Sequence, residues 1–121
     1  MAEAYKAMAA DTERPAYDRM EAAEKATLLS PEVGAEAYKA IASNTRTSRW
    51  GRGATPANRL EAAEKASLLS PKVGAEAYKA IASDRSLHLL TCRKAAERAC
   101  ELSPEIGAAA LRAIAKNPHA Y

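Results

Sequence analysis

Aromatic residues are scarce in this sequence, which has no Phe, one Trp and five Tyr among its 121 residues. Residues that favour strands never gather into an alternating run, which excludes an all-β domain. No apolar run approaches the roughly 20 residues that a membrane-spanning helix needs. The N-terminus lacks the basic start and apolar core of a signal peptide. If the chain is complete, we therefore expect a soluble, cytoplasmic protein.

Cysteine is rarer still, with two residues in the chain. Cys92 and Cys100 lie on one predicted helix, two turns apart, which is too far for a disulfide. We expect reduced thiols that act as small apolar residues, and this favours a reducing intracellular compartment.

Alanine dominates what is present, with 31 of the 121 residues, and 27% of the chain is charged. Ala, Leu, Glu, Lys and Arg all favour helices. The sequence therefore predicts an all-α fold, and its length fits a single domain over residues 1–121. The net charge of +3 is well below that of a strongly basic nucleic-acid-binding protein.

The chain also repeats itself. Residues 19–44 and 59–84 differ at four positions and are offset by 40 residues. A more diverged copy covers 94–117, in which Pro104 follows Pro71 by 33 residues. The basic period is therefore 33 residues, and one stretch carries 7 more. We expect an insertion loop at 45–58 and repeat units at 2–34, 35–74, 75–107 and, in part, 108–121.

Each unit resolves into two helices, of which the second follows a Ser-Pro pair. Ser30, Ser70 and Ser103 are predicted N-caps, and the prolines after them suit the first helical turn. A helix pair of this size cannot bury its apolar face alone, so neighbouring pairs must stack. The sequence predicts a short right-handed α-solenoid of about three and a half repeats. Its seven predicted helices are 2–10, 15–29, 31–43, 55–69, 71–84, 88–102 and 104–116.

This pattern resembles the tetratricopeptide repeat over nearly the whole chain, which implies an array of helical hairpins. The aromatic slot of the family's first helix corresponds to Tyr5, Tyr38 and Tyr78. Its terminal Pro corresponds to Pro31, Pro71 and Pro104. The small residue twelve positions before that Pro is replaced by Arg19, Arg59 and Cys92. A related helical-hairpin repeat is therefore as plausible as membership of the family.

A second resemblance involves shorter pieces. Leu-Ser-Pro-Glu-Val and Ala-Ile-Ala-Ser-Asn are similar to parts of the transcription-activator-like effector repeat, which implies DNA reading by a residue pair after the first helix. Pro31 and Asn44 are further apart than the matching residues of that family.

Motifs for catalysis and cofactor binding are nearly absent. Gly51 and Gly53 follow no predicted strand, so they do not form a phosphate-binding loop. His88 and Cys92 share one helix face, but two residues are too few for a zinc site, and a buried Cys beside a His is the simpler interpretation. We predict no enzyme activity, no metal and no cofactor.

The segment from Asn44 to Arg59 has no counterpart elsewhere and holds the single Trp. Four guanidinium groups without a nearby acid favour anionic partners, and Trp and Arg are enriched in binding hot spots. Lys39 and Lys79 are further candidates for an exposed contact face. The predicted partner-binding residues are Arg46, Arg49, Trp50, Arg52, Arg59, Lys39 and Lys79.

We therefore expect a non-catalytic protein-interaction module, a scaffold or a small subunit of a larger assembly. Neither end of the array shows a polar capping repeat, so a partner or a second copy of the chain is expected to cover the ends. The alternative is a nucleic-acid-binding protein, for RNA or DNA, that uses the basic stretch 46–59.

Overall fold

The computed structural model describes residues 1–44 and 55–116, which form seven α-helices and no strand. The helices are α1 (Ala2–Ala10), α2 (Ala16–Leu29), α3 (Pro31–Ala42), α4 (Pro56–Leu69), α5 (Pro71–Ala82), α6 (Leu89–Leu102) and α7 (Pro104–Ala115). Each agrees with its predicted boundaries to within two residues. The all-α prediction is confirmed.

The predicted insertion loop at 45–58 overlaps α4, which begins at Pro56. Thr55 and Asn58 form a capping box, which was not predicted. The Thr55 hydroxyl accepts from the Asn58 backbone amide at 3.0 Å, and the Thr55 amide donates to Asn58 Oδ1 at 3.1 Å. Residues 56–58 therefore belong to the helix, and residues 45–54 lie outside the described part of the chain.

The Ser-Pro pairs begin α3, α5 and α7, as predicted. The hydroxyl oxygens of Ser30, Ser70 and Ser103 accept from the backbone amides three residues on, at 3.4, 3.4 and 3.5 Å. Each cap satisfies an amide that the helix itself leaves without a partner. Local sequence therefore sets where these three helices start.

The helices are arranged in two layers. Every helix packs against the next one in the chain, and the odd-numbered helices also pack side by side, α1 on α3, α3 on α5 and α5 on α7. The even-numbered helices scarcely touch one another. Grooves are therefore available between neighbouring even-numbered helices.

Small residues allow the two layers to come close. The core consists largely of Ala, with Ile41 and Ile81 fully buried among them. A Cβ added at Gly34 would lie 2.6 Å from the Cα of Thr27, and one at Gly107 would lie 2.6 Å from the amide nitrogen of Cys100. These distances are too short for any side chain, so Gly is required where the helices of the two layers cross.

Candidate functional site: a groove and a basic pocket

The predicted partner-binding residues fall into three groups. Arg46, Arg49, Trp50 and Arg52 lie outside the described residues. Lys39 and Lys79 lie in the odd-numbered layer, where Lys39 Nζ is 3.4 Å from Glu76 Oε1 and Lys79 is exposed. Arg59 lies in α4.

Arg59 is in the interior, and the prediction that it faces a partner is wrong. Its side chain is 3% exposed, and Nε donates to the backbone oxygen of Ala42 at 2.8 Å. Nη1 donates to Asp84 Oδ2 at 2.6 Å. The prediction failed because Asp84 is 25 residues further along the chain, so the acid beside this arginine is visible only after folding.

Arg19 occupies the same place in the first unit. Its side chain is fully buried, and Nε donates to the backbone oxygen of Ala9 at 2.7 Å. Its two terminal nitrogens have no hydrogen-bond partner among the described residues. Burial lowers the pKa of Arg19, and the charge of Asp11 opposes that effect. Position 44, which corresponds to Asp84 one repeat earlier, is Asn.

A groove of about 490 Å³ separates α2 from α4, and we call it the α2–α4 groove. Tyr38 of α3 is 4% exposed and lies at its base. Besides Tyr38, three carboxylates, one ammonium group and two apolar or aromatic side chains line the groove. These residues are Glu21, Glu24, Glu61, Lys65, Met20 and Tyr17.

The acidic character of the groove acts on Tyr38. Burial raises the pKa of Tyr38, and the charges of Glu24 and Glu61 raise it further. Lys65 lies above the ring, with Nζ 6.0 Å from its centroid. Among the described residues, Lys65 forms no ion pair and Glu21 pairs with Lys25 at 3.3 Å, which leaves Glu24 and Glu61 as the unpaired carboxylates of this groove.

The equivalent groove between α4 and α6 is bridged by an ion pair, and we call it the closed groove. There Arg98 takes the position of Lys65, and its Nη2 lies 3.2 Å from Glu64 Oε1. The Tyr78 hydroxyl donates to Glu64 Oε2 at 2.8 Å. Hydrogen bonds from Arg98 and Tyr78 lower the pKa of Glu64, while burial and Glu64 raise the pKa of Tyr78 to about 12. Lys94 stands where the first groove has Glu61, so charges balance in this copy.

The α2–α4 groove continues into an apolar part of about 180 Å³. Thr27, Leu68 and Leu69 line this part, which shares Tyr38 and Lys65 with the acidic part. Leu68 is 77% exposed. The groove therefore offers carboxylates at one end and apolar side chains at the other.

A second concave feature lies between α5 and α7, and we call it the α5–α7 pocket. Its volume is about 360 Å³. Four of its lining residues are basic and three are small, and no described lining residue is acidic. They are Lys79, Arg85, Arg112, Lys116, Ser83, Ala109 and Ala113.

His88 and Cys92 do not converge on a shared site. His88 caps α6, since its Nδ1 accepts from the Leu90 amide at 3.1 Å. Cys92 is buried, and its thiol donates to the backbone oxygen of Asp84 at 3.5 Å. Burial raises the pKa of the Cys92 thiol, as does the charge of Asp84. Within residues 1–44 and 55–116, no three His, Cys, Asp or Glu side chains gather as metal ligands.

The chain was compared with protein-family models, curated proteins and solved structures, and none of them matches it. The tetratricopeptide resemblance therefore remains one of helix pattern. Over the described residues, no helix is long and apolar enough to cross a membrane.

Proposed function

We propose that this chain is a non-catalytic protein-interaction module, a short right-handed α-solenoid that holds a segment of a partner protein in the α2–α4 groove. The observation that carries the proposal is the contrast between two copies of one groove. In the second copy Arg98 binds Glu64 across the gap at 3.2 Å. In the first, Lys65 forms no such pair with Glu24, as far as the chain is described.

The groove suits a basic, amphipathic segment. The carboxylates of Glu24 and Glu61 favour Lys or Arg side chains of a partner, whereas Glu21 already pairs with Lys25 at 3.3 Å. Leu68 and Leu69 favour apolar residues a few positions away, as when a helix lies in a groove. Such a segment would bury leucine surface that is now exposed, which is the main source of affinity in contacts of this kind.

The test uses Lys65→Arg, which copies the residue of the closed groove. We expect the introduced guanidinium to reach Glu24 and Tyr38 as Arg98 reaches Glu64 and Tyr78, and so to occupy the site. A random peptide library is selected against the native chain and against this variant in parallel. The expected result is a set of basic, partly apolar sequences that bind the native chain at least about tenfold more tightly than the variant.

Arg98→Lys is the matched control, because it makes the reverse exchange at the second groove. It should leave binding of the selected peptides unchanged or add a second site. Selection of no peptide, or of peptides that bind native and Lys65→Arg chains equally, would remove the α2–α4 groove from the proposal.

That a partner or a second copy of the chain covers the ends of the array stays a prediction. Leu111 of α7 is 48% exposed, whereas Tyr78, at the same position of α5, is 5% exposed because α6 covers it. Mass measurement by light scattering across a range of concentrations would show whether copies of the chain associate.

The nucleic-acid alternative also stays a prediction. Arg59 is buried and does not support this alternative. The remaining arginines of the basic stretch are Arg46, Arg49 and Arg52. Binding of this kind would weaken steeply with salt.

A further inference from the structure

We infer that the α5–α7 pocket binds a phosphate monoester, a compact dianion held by Lys79, Arg85, Arg112 and Lys116. This inference does not depend on the α2–α4 groove, because the two sites share no residue. It rests on the shape of the pocket and on its charged residues, which differ from those at the equivalent place between α3 and α5.

The copy between α3 and α5 contains an acid. There Lys39 Nζ lies 3.4 Å from Glu76 Oε1, and the two charges offset each other. In the α5–α7 pocket, Lys79 takes the place of Lys39, and Ala109 takes the place of Glu76. The lysine has therefore lost the acid that its counterpart binds, and it is exposed.

Two further exchanges add positive charge at the same place. Lys116 corresponds to Ser83 one repeat earlier, and Arg85 corresponds to Thr45. Together with the loss of the acid, all three exchanges raise the positive charge of one pocket.

The negative C-terminal ends of two helices offset part of the positive charge of the pocket, but not all of it. A basic residue in the last turn complements the negative end of a helix, which amounts to about half a unit charge. Lys79 and Arg112 lie in the last turns of α5 and α7. Two helix ends therefore offset about one of the four positive charges.

The pocket fits a phosphate group in shape and chemistry. Ala109 and Ala113 leave room in a space of about 360 Å³. Arginine forms paired hydrogen bonds with phosphate oxygens, and lysine adds a point charge. The Ser83 hydroxyl already donates to the Lys79 backbone oxygen at 2.8 Å, so the cations are the groups that remain to bind a ligand.

A monoester fits better than a nucleic-acid backbone. A monoester concentrates close to two negative charges on one group near neutral pH. Each nucleic-acid phosphate carries one charge, and tight binding needs a track of several contacts. The positive charge does not continue along the layer, because Glu76 offsets Lys39 in the adjacent unit. The pocket is therefore a single site for one dianion.

The experiment measures binding of inorganic phosphate, O-phosphoserine and dimethyl phosphate by titration of backbone amide NMR shifts. The variant is Ala109→Glu, which restores the acid that the preceding unit has at position 76. We expect saturable binding of phosphate and phosphoserine, no binding of the monoanionic dimethyl ester, and at least about a tenfold loss of affinity in Ala109→Glu. Lys116→Ser, which restores the residue found at position 83, should also weaken binding.

Lys72→Glu is the control, because position 32 of the first unit already carries Glu and lies at the start of its helix. It changes the net charge more than Ala109→Glu does, yet it should alter phosphate affinity less than twofold. Lys65→Arg should bind phosphate like the native chain, which separates this inference from the proposed function. A single-stranded oligonucleotide is titrated in parallel. Absence of saturable phosphate binding, equal binding by Ala109→Glu, or binding of the oligonucleotide without the monoester would each overturn the inference.

Discussion

Arg59 of α4 and Asp84, just after α5, form a buried ion pair, with Nη1 and Oδ2 2.6 Å apart. The two side chains are 3% and 7% exposed. The same arginine also binds the last carbonyl of α3, at Ala42. One side chain therefore connects three helices.

Removing the acid should destabilise the fold. Asp84→Asn leaves the buried guanidinium without its counter-charge, and breaking a buried pair in this way costs roughly 3 kcal/mol. We expect a loss of about that size in the free energy of unfolding, measured by urea denaturation. Asp11→Asn is the comparison and should cost less, since Asp11 is the corresponding residue after α1, is exposed, and acts on Arg19 by its charge without a hydrogen bond. An equal, small effect of both substitutions would contradict a special role for the Arg59–Asp84 pair.

Adding an acid at position 44 should stabilise the fold. Position 44 corresponds to position 84, and Arg19 is placed as Arg59 is, on the carbonyl at the end of the preceding helix. Asn44→Asp should give Arg19 the carboxylate that Arg59 has and raise the free energy of unfolding by about 1–2 kcal/mol. The gain should vanish in an Arg19→Met background, where no guanidinium remains. A gain that persists there would show that it arises elsewhere.

Lowering the pH should destabilise the native chain more than it destabilises the Asp84→Asn variant. Burial alone would raise the pKa of Asp84, but hydrogen bonds from Ser86 and Arg59 outweigh it and lower the pKa below the ordinary 3.8. A lowered pKa means that the native state holds the proton less tightly than the unfolded state. The stabilisation is therefore complete above about pH 5 and is lost as the pH falls through about 4 and below. Urea denaturation between pH 6 and pH 2 should give a shallower decline for Asp84→Asn; parallel curves would refute this assignment.

Substituting the glycine at a helix crossing should destabilise the fold. A Cβ at Gly74 would lie 2.7 Å from the backbone nitrogen of Ser67. In an open helix Gly→Ala stabilises by about 1 kcal/mol, whereas here we expect Gly74→Ala to destabilise by about 1–3 kcal/mol, as overpacking does. Adding Ser67→Gly should not restore stability, because the backbone itself is in the way. Full rescue by that second substitution would mean that the side chain sets the spacing. Thermal unfolding followed by circular dichroism measures all three chains.

Helix positions in this protein follow from local sequence. Ser30, Ser70 and Ser103 are caps whose hydrogen bonds reach three residues along the chain, so each one can be recognised in a short window. The 33-residue period likewise predicts the pairing of helices. The capping box of Thr55 is not predicted from the usual pattern, because Asn58 takes the position of the more common Glu or Gln.

The tertiary structure decided which side chains meet. Arg59 looks like part of a basic loop until α5 brings Asp84 against it. Lys65 and Arg98 occupy one position of the repeat, yet Arg98 closes its groove because a guanidinium spans the gap to Glu64. Lys79 and Lys116 are 37 residues apart and share a pocket because α5 and α7 lie side by side. Local rules determine helices, whereas charge pairs and grooves depend on helix packing between units, which brings together residues far apart in the chain.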